Sequence, residues 1–96
     1  MVEFSMKAYE GFFKAVLRLE TLEDCQKFFE DVCTIKELQA IGQRWDVAVM
    51  LNEGKNYLDI SKQTGASTAT ISRVAKCLNY GAGGYELVLK KENDDE

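Results

Sequence analysis

The sequence predicts an all-α protein, and three observations support that prediction. The 96 residues include no proline, apolar residues recur at spacings of three and four, and the pattern breaks only at glycines or at residues that cap helices. β-Branched residues are isolated and do not form the alternating runs typical of strands. With 46% hydrophobic residues, a chain of this length forms one domain with a single small core and short connections.

Aromatic side chains dominate the first two predicted helices. The apolar face of the first helix comprises Tyr9, Phe12, Phe13, Val16 and Leu17. Thr21 is suited to cap the second helix, with Asp24 three residues later. The buried side of that helix is expected to comprise Leu22, Cys25, Phe28, Phe29 and Val32. The Phe-Phe pairs put bulky groups on more than one side of each helix, which a short chain cannot easily cover.

The third helix is predicted to be the longest. It opens with T-I-K-E at Thr34–Glu37, a capping box in which a hydroxyl and a carboxylate each accept a backbone N–H at the start of the helix. Its apolar positions are Leu38, Ile41, Trp45, Ala48 and Met50. Gly54 is suited to end it, because glycine accepts the left-handed conformation common after a helix.

Two short helical patterns between Asn56 and Leu78 predict a helix-turn-helix, a motif that binds duplex DNA. Gly65 is the expected hinge, since a sharp turn between helices favours a residue without a Cβ. Ser67 is the expected N-cap, so the second helix starts at Thr68. Its apolar stripe comprises Ile71, Val74, Ala75 and Leu78, which are expected to pack on Ile60. Ser61 is small where the two helices must approach closely.

The charge distribution favours DNA binding over a purely structural helix pair. Residues 54–84 hold four basic side chains and one acidic one, a net charge of +3, whereas residues 1–53 carry −4 and residues 85–96 carry −3. Phosphate contacts are local, so an overall acidic protein can bind DNA through a basic face. The predicted DNA-binding residues are Lys62, Ser67, Thr68, Ala69, Thr70, Ser72, Arg73 and Lys76. Because the first turns lack Asn and Gln, shape and water-mediated contacts should supply much of the specificity.

The surplus aromatic residues predict a homodimer, since self-association is the commonest way for a small protein to cover such surface. The alternative is a well-filled monomeric core. Two recognition helices related by a two-fold axis can enter successive major grooves about 34 Å apart, which predicts a near-palindromic operator.

Several other classes are disfavoured. The chain has no histidine, and its three cysteines, Cys25, Cys33 and Cys77, form no C-x-x-C pair, so neither a zinc site nor a cofactor is expected. The cysteines are read as small buried hydrophobes. No nucleotide-binding or hydrolase motif indicates an enzyme. With no signal peptide or transmembrane run, we expect a cytoplasmic protein without membrane contact. The competing function is a protein-interaction module, a helical dimer that does not bind DNA and carries the acidic tail of residues 92–96.

The stretch T-I-K-E-L-Q-A-I-G-Q-R-W, the L-N-E-G turn and T-G-A-S-T-A-T-I-S-R together resemble the Trp repressor family, most closely its YerC/YecD-type branch. The likeness spans about residues 34–78. It implies a six-helix chain in an intertwined homodimer that regulates transcription. The expected division is a helical dimerisation core at 1–55, a helix-turn-helix head at 56–79, a C-terminal helix at 80–92 and an acidic tail at 93–96, all within one domain.

The same resemblance implies an effector pocket, which uses tryptophan as corepressor in the founding member. Its two arginines fall on Arg44 and Arg73, and a threonine at its border falls on Thr34. Two positions depart from the pattern: a glycine is replaced by Val74 and a serine by Cys77. The branched Val74 occupies space that an indole would need, and Cys77 is a weak hydrogen-bonding group. Tryptophan is therefore disfavoured as corepressor, and a different, smaller effector is left open. On the alternative interpretation, Arg73 contacts phosphate and Arg44 pairs with a carboxylate such as Asp46 or Glu37.

Overall fold

The structure, a computed structural model, describes residues 5–94, and this range contains helices and no strand, which confirms the all-α prediction. A short 3₁₀-helix at Met6–Tyr9 precedes six α-helices. These are α1 (Glu10–Val16), α2 (Leu22–Val32), α3 (Ile35–Asn52), α4 (Tyr57–Thr64), α5 (Thr68–Tyr80) and α6 (Gly84–Asp94). Residues 95 and 96 of the predicted acidic tail lie outside the described residues. None of these helices combines the length and apolar character needed to cross a membrane.

The chain divides into two compact units, Met1–Ile35 and Lys36–Glu96. In the N-terminal unit, the predicted cap of α2 is confirmed: the Thr21 hydroxyl accepts the N–H of Asp24 at 3.0 Å. The Asp24 carboxylate in turn accepts the N–H of Glu20 at 3.1 Å. The first helix is shorter than predicted, because Tyr9 lies in the 3₁₀-helix and Leu17 follows the last residue of α1.

Four phenylalanines hold α1 and α2 together within the N-terminal unit. Phe12, Phe13, Phe28 and Phe29, here called the aromatic cluster, have neighbouring ring centroids 5.5–6.4 Å apart in stacked, tilted and edge-on arrangements. Such arrangements are favourable for aromatic pairs. Nevertheless, none of residues 5–35 is buried. The described part of this unit therefore has aromatic contacts but no closed core.

The C-terminal unit contains the buried core. Six residues, here called the head core, form one cluster in which each side chain is at most 1% exposed: Val47, Ala48, Ile60, Ala66, Ile71 and Val74. Met50, Leu51, Leu78 and Tyr85 pack around it. The predicted packing of Ile71 and Val74 with Ile60 is confirmed. Because Val47 and Ala48 belong to the same cluster, α4 and α5 both pack against α3.

Glycines in the left-handed conformation follow the ends of α3 and α4. Gly54 has φ +82°, its N–H bonds the carbonyl of Leu51, and the N–H of Lys55 bonds that of Met50. This pattern is a Schellman motif, which satisfies carbonyls that the helix itself leaves without partners. Gly65 has φ +76°, and its N–H bonds the carbonyl of Ser61 at 2.8 Å. Both predicted helix ends are confirmed.

We predict that Gly65→Ala lowers the free energy of unfolding by about 1–2 kcal/mol, because an L-residue with a Cβ is strained at positive φ. Space does not limit the substitution, since an added Cβ would lie 3.9 Å from the nearest atom, Nε2 of Gln43. Urea unfolding followed by circular dichroism measures the change. Gly65→Asn is the matched control and should lose less despite its larger side chain, because Asn tolerates this conformation better. Equal losses for the two variants would contradict the explanation.

Candidate nucleic-acid interface

Helix α5 has a buried face and an exposed face. Ile71 and Val74 belong to the head core. The exposed residues of α5 that sequence analysis assigned to DNA contact are Thr68, Ala69, Ser72, Arg73 and Lys76. Because the core side chains fix the rotation of the helix, these small, hydroxyl-bearing and basic residues are directed to the surface. The short side chains would let the helix come close to a groove wall, and the basic ones carry donors for phosphate oxygens.

The start of α5 is fixed by a pair of hydroxyl groups. Ser67 Oγ accepts the N–H of Thr70 at 3.1 Å, which confirms the predicted N-cap and the start of the helix at Thr68. The same hydroxyl donates to Thr70 Oγ1 at 3.1 Å. Thr70 is half-buried. Ser67 and Thr70 were both grouped with the DNA-contacting residues, but their hydroxyls are engaged with each other. Thr68 and Ser72 are the more accessible hydroxyls of this helix.

Basic side chains of the head are exposed and available for an anionic partner. Lys62 on α4 and Arg73 and Lys76 on α5 are exposed, and none of them makes an ion pair with another described residue. By contrast, Lys14 pairs with Glu10 and Lys27 pairs with Glu23 in the N-terminal unit. The head therefore offers positive charge that no carboxylate among the described residues neutralises.

The candidate effector residues are in different environments. Val74 is 1% exposed and fills part of the head core, whereas Arg73 is exposed on the outer face of α5. Arg44 is half-buried on α3, and Thr34 belongs to the N-terminal unit and directly precedes α3. The branched side chain at position 74 is thus already used for packing between α5 and its neighbours.

The prediction that the cysteines are small buried hydrophobes is wrong for Cys77, which is exposed; Cys25 and Cys33 are half-buried. Cys77 lines an open apolar cleft of about 410 Å³ where the end of α5 meets the start of α6. Trp45 and Tyr85, which also line this cleft, stack with ring centroids 6.4 Å apart. The glycines around the cleft supply no side chain that could cover the thiol.

One residue that contacts the head and that the sequence analysis did not single out is Gln43. Its side-chain amide on α3 donates to the carbonyl of Thr64, the last residue of α4, at 3.1 Å. The two residues are 21 positions apart, so no local motif connects them. A glutamine in the middle of a helix is ordinary in sequence, and only the packing of α4 against α3 gives it a partner.

Comparison with known families identifies a match over nearly the whole chain. The family described as Trp repressor protein matches residues 7–93. The uncharacterized protein YerC of Bacillus subtilis (strain 168) is 50% identical over 90 residues, which are 94% of this chain and 86% of that protein.

Two solved structures share both the fold and much of the sequence. A TrpR-like protein from Eubacterium eligens ATCC 27750 is 52% identical, with a TM-score of 0.87 over 91% of this chain and 90% of the other. A putative Trp repressor from Staphylococcus aureus is 44% identical, with a TM-score of 0.86 over 91% of this chain and 87% of the other. The similarity includes the first helices as well as the helix-turn-helix.

Proposed function

The chain belongs to the Trp repressor family, and on that premise we propose that it is a DNA-binding transcriptional regulator that acts as a homodimer on a near-palindromic operator. The proposal rests on the amphipathic character of α5, in which Ile71 and Val74 are buried and Arg73 and Lys76 are exposed. A regulator of this kind works in the cytoplasm, where bacterial DNA is found.

In this proposal α5 is the recognition helix. Thr68, Ala69 and Ser72 lie against base edges and sugars in the major groove, and the backbone N–H groups at the start of the helix favour nearby phosphates. Arg73, Lys76 and Lys62 contact phosphates. None of these side chains makes the bidentate contact that Asn or Gln makes with adenine. Specificity then depends on groove shape, on bridging water and on the separation of the two half-sites.

The distribution of exposed apolar surface supports the homodimer. Ten of the fifteen large hydrophobic residues that are exposed in the described part of the chain lie within residues 6–41. Leu17 is 82% exposed, Leu22 76% and Ile35 77%. Surface of this kind costs free energy in water, and a second copy of the same segment would cover it. This supports assigning residues 1–55 to dimerisation and residues 56–79 to the DNA-binding head.

Tryptophan is not the corepressor in this proposal. Val74 fills core space against α3 and α4, and moving it to admit an indole would expose apolar surface and leave a cavity. Cys77, also on α5, provides only a weak acceptor for an ammonium group. The heads therefore bind DNA without that ligand.

We predict that selection of bound duplexes from a random pool enriches a near-palindrome with half-site centres about 34 Å apart. Sedimentation of the free protein should give twice the chain mass of 10.9 kDa. A pool without enrichment, combined with a failure to bind any duplex at low salt, would instead favour the helical dimer that acts as a protein-interaction module.

Arg73→Ala should weaken binding to the selected duplex at least about 10-fold and reduce the slope of log K against log salt by about 2, because each subunit of the dimer loses one phosphate contact. Fluorescence anisotropy over a range of salt concentrations measures both quantities. Lys27→Ala is the matched control. It also removes one exposed positive charge, but from α2, where Lys27 lies 3.2 Å from Glu23, and it should leave the slope unchanged. An unchanged slope for Arg73→Ala would show that α5 is not placed on DNA as proposed.

Calorimetry with L-tryptophan should give a dissociation constant no lower than the millimolar range, since Val74 already occupies the space that an indole needs. Affinity for the selected duplex should be the same with and without the amino acid. The DNA titration serves as the control that the sample is folded and active. Micromolar binding of tryptophan, or tighter DNA binding in its presence, would disprove the steric argument.

A further inference from the structure

The turn of the helix-turn-helix is held by two kinds of hydrogen bond. Four are local: Gly65 N–H to the Ser61 carbonyl, Ala66 N–H to Thr64 Oγ1, Ser61 Oγ to the Ala66 carbonyl and Thr64 Oγ1 to the Ile60 carbonyl, at 2.7–3.1 Å. These fix the path of the chain through residues 60–66. They do not determine how the turn sits on the rest of the unit.

The bond from Gln43 joins the turn to the long helix. Its Nε2 donates to the Thr64 carbonyl at 3.1 Å, and both residues are half-buried. That carbonyl is in the last turn of α4, where the helix provides no partner. Gly65 brings the backbone close to the amide, since a Cβ on it would lie 3.9 Å from the same Nε2. A side chain of α3 therefore satisfies the end of α4 at the hinge itself.

We propose that Gln43 is a positioning residue for DNA binding, whose amide fixes the orientation of the α4–α5 head on α3. This inference rests on the proposed function. Ile60, Ile71 and Val74 pack on Val47 and Ala48. The stabilising free energy of such apolar packing is roughly proportional to the buried area and does not depend on direction, so the packing permits small rotations of the head. A hydrogen bond is directional and limits them. In a dimer, such a rotation changes the separation of the two recognition helices, which must match successive grooves.

The test compares the selected duplex with a derivative that has one base pair inserted at its centre. Gln43→Met keeps the length and helix propensity of the side chain but removes the donor. We expect it to weaken binding to the selected duplex about 10-fold, because each head of the dimer loses one hydrogen bond that holds it in the binding orientation. Binding to the inserted derivative should change less than about twofold, because a looser head tolerates incorrect spacing. The preference for the correct spacing thus falls about fivefold or more.

Two further variants separate positioning from general destabilisation. Gln39→Met makes the same change one helical turn earlier on α3, at an exposed position, and should preserve the wild-type ratio of the two affinities. Gln43→Glu places a carboxylate that can only accept next to the Thr64 carbonyl, so it should reduce the spacing preference at least as much as Gln43→Met. A variant that merely lowers the folded fraction weakens binding to both duplexes equally and preserves their ratio. A wild-type ratio in Gln43→Met, or an equal loss of the spacing preference in Gln39→Met, would overturn the proposal.

Amide hydrogen exchange of the free protein tests the same bond without DNA. Gln43→Met should speed exchange at Gly65 and Ala66 about 10-fold and leave that of Val47 unchanged, since local opening depends on the bond at the turn. Faster exchange in a protein that binds no duplex would mean that the proposed function fails while the anchoring of the turn stands. Unchanged exchange would refute the anchoring itself.

Discussion

Packing of Ile60, Ile71 and Val74 against Val47 and Ala48 holds the helix-turn-helix to the long helix α3. Burying a side chain of this size contributes about 1.5–3 kcal/mol, so a few residues determine where the whole head lies. The same contacts set the rotation of α5, and with it the residues that reach the surface. Arg73 and Lys76 are exposed because their neighbours Ile71 and Val74 are buried. The surface proposed to bind DNA is therefore a consequence of core packing.

This core belongs to one part of the chain only. The buried residues of the described structure begin at Val47, while the aromatic cluster and the start of α3 expose hydrophobic surface. The head has a closed core within one chain, whereas the described part of the N-terminal unit has aromatic contacts but no buried residue. The proposed homodimer resolves this difference, since it leaves each head intact and covers the rest with a second copy. On this view, dimerisation and DNA binding use separate surfaces and can be altered separately.

Local features were predictable from the sequence, and features that depend on packing were not. Gly65, Ser67 and Thr21 were placed correctly because a left-handed turn and an N-cap are determined by residues at most a few positions apart. The bond from Gln43 to Thr64 and the exposure of Cys77 depend on how separate helices meet, which periodicity does not encode. The bond from Ser67 to the Thr70 hydroxyl likewise depends on how the start of α5 is arranged, and it leaves the predicted DNA contact of Thr70 a prediction. The roles of the remaining site residues stay predictions.

Val74 connects the stability of the head with its regulation. A residue at this position can leave a space for a ligand, which then completes the packing when it binds, or it can fill the space itself. In the first case the orientation of the head depends on ligand concentration, because binding stabilises the liganded arrangement. In the second case the packing is permanent, and a ligand the size of an indole has no cavity at this position through which to favour one orientation. Val74 is 1% exposed within the head core, so its own side chain fills the space, and under the proposed function the orientation of the head does not depend on a ligand there. Control of its target genes would then act through the amount of protein or through a different surface.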